Sequence, residues 1–226
     1  MPSSPTAKKE PGNQASLSRP GDFLGSDDVL DATAPAVRAA AGALGAQASR
    51  AAGAQFPDSY VLAAYRFVRD EVAHSVDAAN PLMTVRASEV LEHRTGLCFA
   101  QSHLLAALLR AGGVPAGLCY QRLAGPGSSH VVHGLTAAHL RGAWVRLDPR
   151  GTPAQRGTEI RLDVDQLAYE PRAELGELDY LPIFDRPHLA VLSALRGSDH
   201  ALQLCRSGLP AELPGVPGRA GAPDRR

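Results

Sequence analysis

The chain is short of cysteine, with three among 226 residues. So small and odd a number argues against a disulfide-built scaffold and reads as thiols in a reducing compartment. An excess of either charge is also lacking, since 23 lysines and arginines face 23 aspartates and glutamates. That balance gives no electrostatic case for a nucleic acid or an anionic membrane surface as partner. No apolar run approaches the length of a membrane span. Residues 1–22 contain no apolar run at all, which excludes a secretory signal there and makes the cytoplasm the expected location. There is no internal repeat. There is no Cys-x-x-Cys pair and no acidic loop with calcium-ligand spacing, so neither metal nor cofactor is expected.

The composition is otherwise that of a globular protein, 44% apolar and 20% charged. The length is ample for a single real core. Residues 1–21 are rich in Pro, Ser and Lys, and residues 208–226 are rich in Pro and Gly. Both stretches read as disordered tails around a folded domain at 22–207.

Within that domain the pattern changes character half-way. Ala34 to Ala54 is alanine-rich and reads as a helix. A second helix is expected from Ser59 to about His74, with Tyr60, Ala63, Ala64, Phe67, Val68 and Val72 on one face. A short helix covers about Arg86 to His93. A fourth runs from Cys98 to Ala111, stopped by Gly112-Gly113 and Pro115. Strands then follow at Ala116–Leu123, His130–Ala138 and Ala143–Leu147. The first two are joined by Ala124-Gly125-Pro126-Gly127 and the last two by a tight turn at Arg141-Gly142. Further on, a short helical stretch is expected at Val164 to Tyr169 and a helix from Pro187 to Arg196. Helices first and an antiparallel sheet afterwards make an α+β fold.

Cys98 is the residue on which chemistry converges. Gly96 breaks the chain, and the apolar helix starts at Cys98. A thiol on the first turn of a helix meets unpaired N–H groups and the positive end of the helix dipole. Both favour the thiolate, which is the nucleophilic form. His133 and Asp148 follow on strand-like segments. If Arg141-Gly142 is a two-residue turn, His133 lies across from Arg150 with Asp148 as its diagonal neighbour; a register two residues different puts His133 opposite Asp148. In either case the two share a face, and if the cysteine helix packs on that face, Cys98 can meet His133 at the helix's N-terminal end. A histidine beside the thiol can take its proton and return it to a leaving group, and a carboxylate on the far ring nitrogen holds the tautomer. An oxyanion needs two donors. The backbone N–H of Cys98 can be one, and the sequence does not assign the other. His130 and His139 are the rival histidines, and His103 is expected on an exposed or outer side of the cysteine helix. Zinc ligation by His130, His133 and Cys98 or Cys119 is the other use of these residue types. An x-x gap on a strand, however, turns the two rings to opposite faces. Cys119 itself reads as a small core residue.

Taken together, three blocks resemble the transglutaminase-like superfamily. The first is Gly96-Leu97-Cys98 with the helix that ends at Gly112-Gly113-Val114-Pro115. The second is His133 on its strand. The third is Trp144-Val145-Arg146-Leu147-Asp148-Pro149. Upstream, Phe67 to His74 is similar to the family's helix before the nucleophile. The resemblance implies a papain-like α+β fold with the nucleophile at a helix N-terminus. It implies Cys98 as nucleophile, His133 as general base and acid, and Asp148 as the orienting carboxylate. The implied activity is acyl transfer on a peptide or protein amide through a thioester, as a peptidase, amidase or cross-linker. The family also contains inactive members, so a protein-interaction module is the alternative.

Overall fold

A computed structural model describes residues 19–50, 55–152 and 160–221. The first half is helical: α1 at Pro35–Arg50, α2 at Asp58–Glu71, α3 at Ala87–His93 and α4 at Cys98–Ala111. Between these lie two short strands, β1 at Ala73–His74 and β2 at Thr95–Gly96, paired in parallel. The second half is a sheet of β3 (Ala116–Ala124), β4 (His130–Leu140), β5 (Ala143–Leu147), β6 (Leu178–Tyr180) and β7 (Gly218–Ala220). Its order is β5-β4-β3-β6-β7 with every neighbour antiparallel. Helices α5 (Leu189–Arg196) and α6 (Ala201–Ser207) lie between β6 and β7 in the chain.

Helix α4 is the centre of this α+β arrangement. Its Leu-Leu-Ala-Ala-Leu-Leu run is apolar on all sides, and every residue from Cys98 to Arg110 is buried. A helix apolar all round has to be enclosed. Here α1, α2 and α3 cover one side, while β3 and β4 cover the other. The Tyr60 hydroxyl donates to the Leu108 carbonyl, tying α2 to α4. At the far end Arg110, only 6% exposed, donates to the carbonyls of Ala116, Gly25 and Asp185. The buried cation is thereby hydrogen-bonded at three points, as burial of such a group requires.

The β4–β5 hairpin turns on Arg141 (φ 51°) and Gly142 (φ 83°), the left-handed pair of a type I′ turn. This sets the register from Leu140↔Ala143 to Thr136↔Leu147. Continued past the end of β5, it puts His133 across from Arg150. Helix α4 packs on the face of β4 that carries Gly134 and Thr136, where the Thr136 hydroxyl donates to the Ser102 carbonyl at 3.1 Å. Leu135 and Ala137 point the other way, into a second small cluster with Cys119, Trp144, Leu167 and Ile183. The helix therefore lies on the face opposite to the one supposed. It comes closest at Gly134, where a Cβ would stand 2.6 Å from the Phe99 ring and 3.3 Å from the Phe99 Cα.

Other expectations need correction. The second helix ends at Glu71 rather than near His74. Nothing in Val72-Ala73-His74 interrupts the helical periodicity, but the chain is drawn into the parallel ladder. Ala73 N–H donates to the Arg94 carbonyl at 2.9 Å and Ser75 N–H to the Gly96 carbonyl at 3.0 Å. Val164–Tyr169 is not helical. Its backbone bends at Val164 and Ala168, and between them Gln166 bridges Leu147 of β5 in parallel. His103 is 1% exposed and sits in the core, its Nδ1 against the Val85 carbonyl at 2.8 Å. The Pro/Gly-rich stretch after Ser207, read from composition as a tail, buries Leu213 and supplies β7 to the sheet. Residues 1–18 and 222–226 of the expected tails, and 51–54 at the end of the first expected helix, lie outside the described residues.

The narrow gap at Gly134 makes a stability prediction. Gly134→Ala places a methyl group against backbone as well as ring, and overpacking of this kind costs about 1–3 kcal/mol. The expected result is a lower urea midpoint with an unchanged m-value. An unchanged midpoint would mean that α4 has slack against the sheet.

Candidate functional site

Cys98 is the first residue of α4, after Leu97 in extended conformation as N-cap. Its side chain is 8% exposed and lines a cleft of about 640 Å³. His133 lies on β4 beyond the last β4–β5 pair, Thr136↔Leu147, so no strand among the described residues covers that margin. Asp148 is the residue directly after β5. The Nε2–H of His133 donates to Asp148 Oδ2 at 2.7 Å, which leaves Nδ1 for the Cys98 thiol. Thiol and imidazole line the same cleft, and each shifts the ionisation of the other. The three residues picked out by sequence are thus brought together, Cys98 reaching His133 from the opposite face past Gly134.

Asp148 is fully buried and held from several directions. Its N–H donates to the Gln166 carbonyl at 2.8 Å. Oδ1 accepts from Arg150 N–H at 3.0 Å, and Oδ2 accepts from Ala168 N–H at 3.1 Å as well as from His133. Its own carbonyl accepts from the Tyr65 hydroxyl at 3.1 Å. Tyr169 presents its ring edge-on to His133, centroids 5.3 Å apart. The stretch Gln166–Tyr169 therefore clamps the carboxylate and walls the imidazole in one pass.

The electrostatics follow from this geometry. Burial alone would push the Cys98 thiol up, but the His133 and His74 rings beside it bring it down to about 6. Burial likewise disfavours the imidazolium of His133. Asp148 and the Cys98 thiolate outweigh that and hold His133 well above an ordinary histidine. Above about pH 6, and up to the raised value of the histidine, the pair is thiolate and imidazolium. Cys119 is driven up to about 12 by burial, and Cys205 is also raised, by burial and by Cys98.

His74 is the residue that sequence reasoning missed. It is 9% exposed, lines the same cleft and is one of the groups that lower the thiol. Its place depends on the β1–β2 ladder, in which it pairs with Gly96, two residues before Cys98. The rivals are elsewhere: His130 Nε2 meets the Leu175 carbonyl at 2.9 Å, and His139 packs on Trp144. Among the described residues no group of three His, Cys, Asp or Glu side chains could hold a metal ion, and no helix is long and apolar enough to cross a membrane.

The model of the transglutaminase-like superfamily matches residues 45–149, a span that includes Cys98, His133 and Asp148. The match is to a transglutaminase-like domain and takes in just under half of the chain. The superfamily is one of cysteine-dependent enzymes, some members of which are inactive. No curated protein matches the chain. Among solved structures, the chain is similar to a candidate cysteine protease from Cytophaga hutchinsonii, with 19% identity and a TM-score of 0.44, over 56% of this chain and 40% of that one. It is also similar to the periplasmic domain of TgpA from Pseudomonas aeruginosa bound to ethylmercury, with 22% identity and a TM-score of 0.40, over 56% of this chain and 46% of that one. This chain thus spans less than half the length of either.

The ionisation pattern is testable by alkylation. Iodoacetamide should label Cys98 with a rate that rises through about pH 6 and then levels, because the thiolate is the reacting form. Buried Cys119 should stay unlabelled in the native protein. His133→Ala removes the counter-charge, so labelling of Cys98 at pH 7 should fall about tenfold, the loss of thiolate being partly offset by the greater nucleophilicity of what remains. Equal, slow labelling of all three cysteines would contradict the ion pair.

Proposed function

We propose that this chain is a cysteine-dependent acyl-transfer enzyme that acts on an amide bond of a peptide or protein, with water as the default acceptor. The observation that carries the reading is the relay from Cys98 through His133 to Asp148, buried at its acid end and open to the cleft at its sulfur end. In this reading the Cys98 thiolate attacks the amide carbonyl carbon, and the carbonyl π pair moves onto oxygen. As the tetrahedral adduct collapses, the C–N bond breaks and the His133 imidazolium gives its proton to the departing amine. A thioester on Cys98 remains. His133, now neutral, takes a proton from water as water attacks the thioester, and the thiolate leaves. An amine in place of water would give a transferase. Asp148 holds His133 in the tautomer that keeps Nδ1 toward sulfur and supports its positive charge. The alternative, an inactive interaction module, is disfavoured by a thiol whose surroundings lower it to about 6. A cysteine with only a packing role is ordinarily left neutral by burial, as Cys119 is.

The test is intact mass after brief incubation with p-nitrophenyl acetate and with unstructured peptides. The protein should gain one acyl group, mapped to Cys98, and Cys98→Ala should gain none. His133→Ala should lower the acylation rate by about 10²–10⁴-fold, the usual worth of general acid–base assistance. A wild-type protein that hydrolyses none of these and forms no adduct would remove the enzyme reading and leave the interaction module.

A further inference from the structure

An attacked carbonyl needs two hydrogen-bond donors where its oxygen becomes negative. One is at hand. The Cys98 N–H, at the first position of α4, has no intrahelical acceptor. We infer that the second is the Nε2–H of His74, so that this site works with two histidines in different roles, one moving protons and the other holding the oxyanion. The inference rests on the acyl-transfer reading above.

Three observations carry it. The first is position: His74 faces the cleft with Cys98 and His133, and the β1–β2 ladder fixes its backbone at the residue pair His74↔Gly96. The second is protonation. His74 Nδ1 accepts the Val76 N–H at 3.4 Å, so the neutral ring carries its hydrogen on Nε2, the nitrogen free to meet the sulfur and whatever bonds to it. The third is the contrast with His133. No carboxylate hydrogen-bonds to His74 among the described residues, whereas His133 is bound to Asp148 at 2.7 Å. A ring with no acid behind it is poorly suited to cycle protons, and is well suited to donate from a fixed nitrogen. The ring shares the cleft with the Cys98 sulfur. In the adduct, the C–O bond developing negative charge lies next to that sulfur, and the Nε2–H donates to the oxygen.

The experiment separates attack that creates an oxyanion from attack that does not. Acylation of Cys98 by p-nitrophenyl acetate passes through a tetrahedral oxyanion. Alkylation by iodoacetamide is displacement at a saturated carbon and forms none. Both report on the amount of thiolate, so their ratio cancels it. Each rate is measured at pH 8 by mass mapping of the Cys98 peptide. For His74→Phe the acylation rate should fall about 10²–10³-fold, the loss seen when an oxyanion donor is removed, while alkylation changes less than about threefold. For His74→Gln, which keeps an N–H donor, a substantial part of the acylation rate should return. A parallel fall in both rates would overturn the inference and make His74 only a partner of the thiolate. So would equal acylation by wild type and His74→Phe, and in that case the acyl-transfer reading survives. A wild type that alkylates but never acylates overturns both together. If His74→Phe fails to fold, shown by loss of the urea transition, the His74→Gln and His74→Ala pair gives the same comparison.

Discussion

One imidazole, shared between a sulfur and a carboxylate and withdrawn from bulk water, is the constraint around which the rest is arranged. Taking three ionisable groups out of water is costly unless each finds its partners. Here the carboxylate of Asp148 accepts two backbone N–H groups in addition to the ring, so its negative charge is matched by fixed dipoles. That in turn holds the positive charge on His133, which holds the negative charge on Cys98. The chain of dependence runs from backbone to acid to base to nucleophile, and side-chain flexibility enters only at its last member.

The meeting of sulfur and ring is a matter of backbone clearance. Helix α4 is enclosed on all sides and cannot shift without disturbing the core. Its N-terminus is brought onto β4 only because Gly134 has no side chain there. Strand β5 stops two residues short of Gly134 in the pairing register, so the margin of β4 next to His133 is free of a neighbouring strand among the described residues. Helix and sheet thus supply the nucleophile and base from opposite faces, and the site sits on the seam between them.

Sequence and structure agree where local signals are strong. A glycine, a cysteine, the apolar run Leu104–Leu109 and the glycine pair after it mark α4 to the residue, and Arg141-Gly142 marks both the turn and the register that brings Asp148 to His133. What was not legible arises from pairings with no local signature. The His74 ring reaches Cys98 through a two-residue parallel ladder across 20 intervening residues of sequence that form a helix and loops, and the helical periodicity runs straight through it. The stretch Val164–Tyr169 is too short for the spacing of its apolar residues to tell helix from extension. Its conformation is decided by the free carbonyl of Arg146 and N–H of Asp148 that Gln166 satisfies. The face on which α4 packs depends on which side of the sheet is closest to glycine, something period-two alternation does not reveal.

The stretch after Ser207 has the composition of a linker and the bonding of an integral part. Pro210 accepts the N–H of Val132 at 2.8 Å, Leu213 donates to the Tyr180 hydroxyl at 2.8 Å, and Leu209 lines the cleft. A molecule trimmed at Ser207 would keep its sulfur and its imidazole but lose one bank of the groove beside them. It would also lay bare a strand margin on which another molecule could add its own strand. The proline-and-glycine stretch is thus both a wall of the groove and the outermost strand of the sheet.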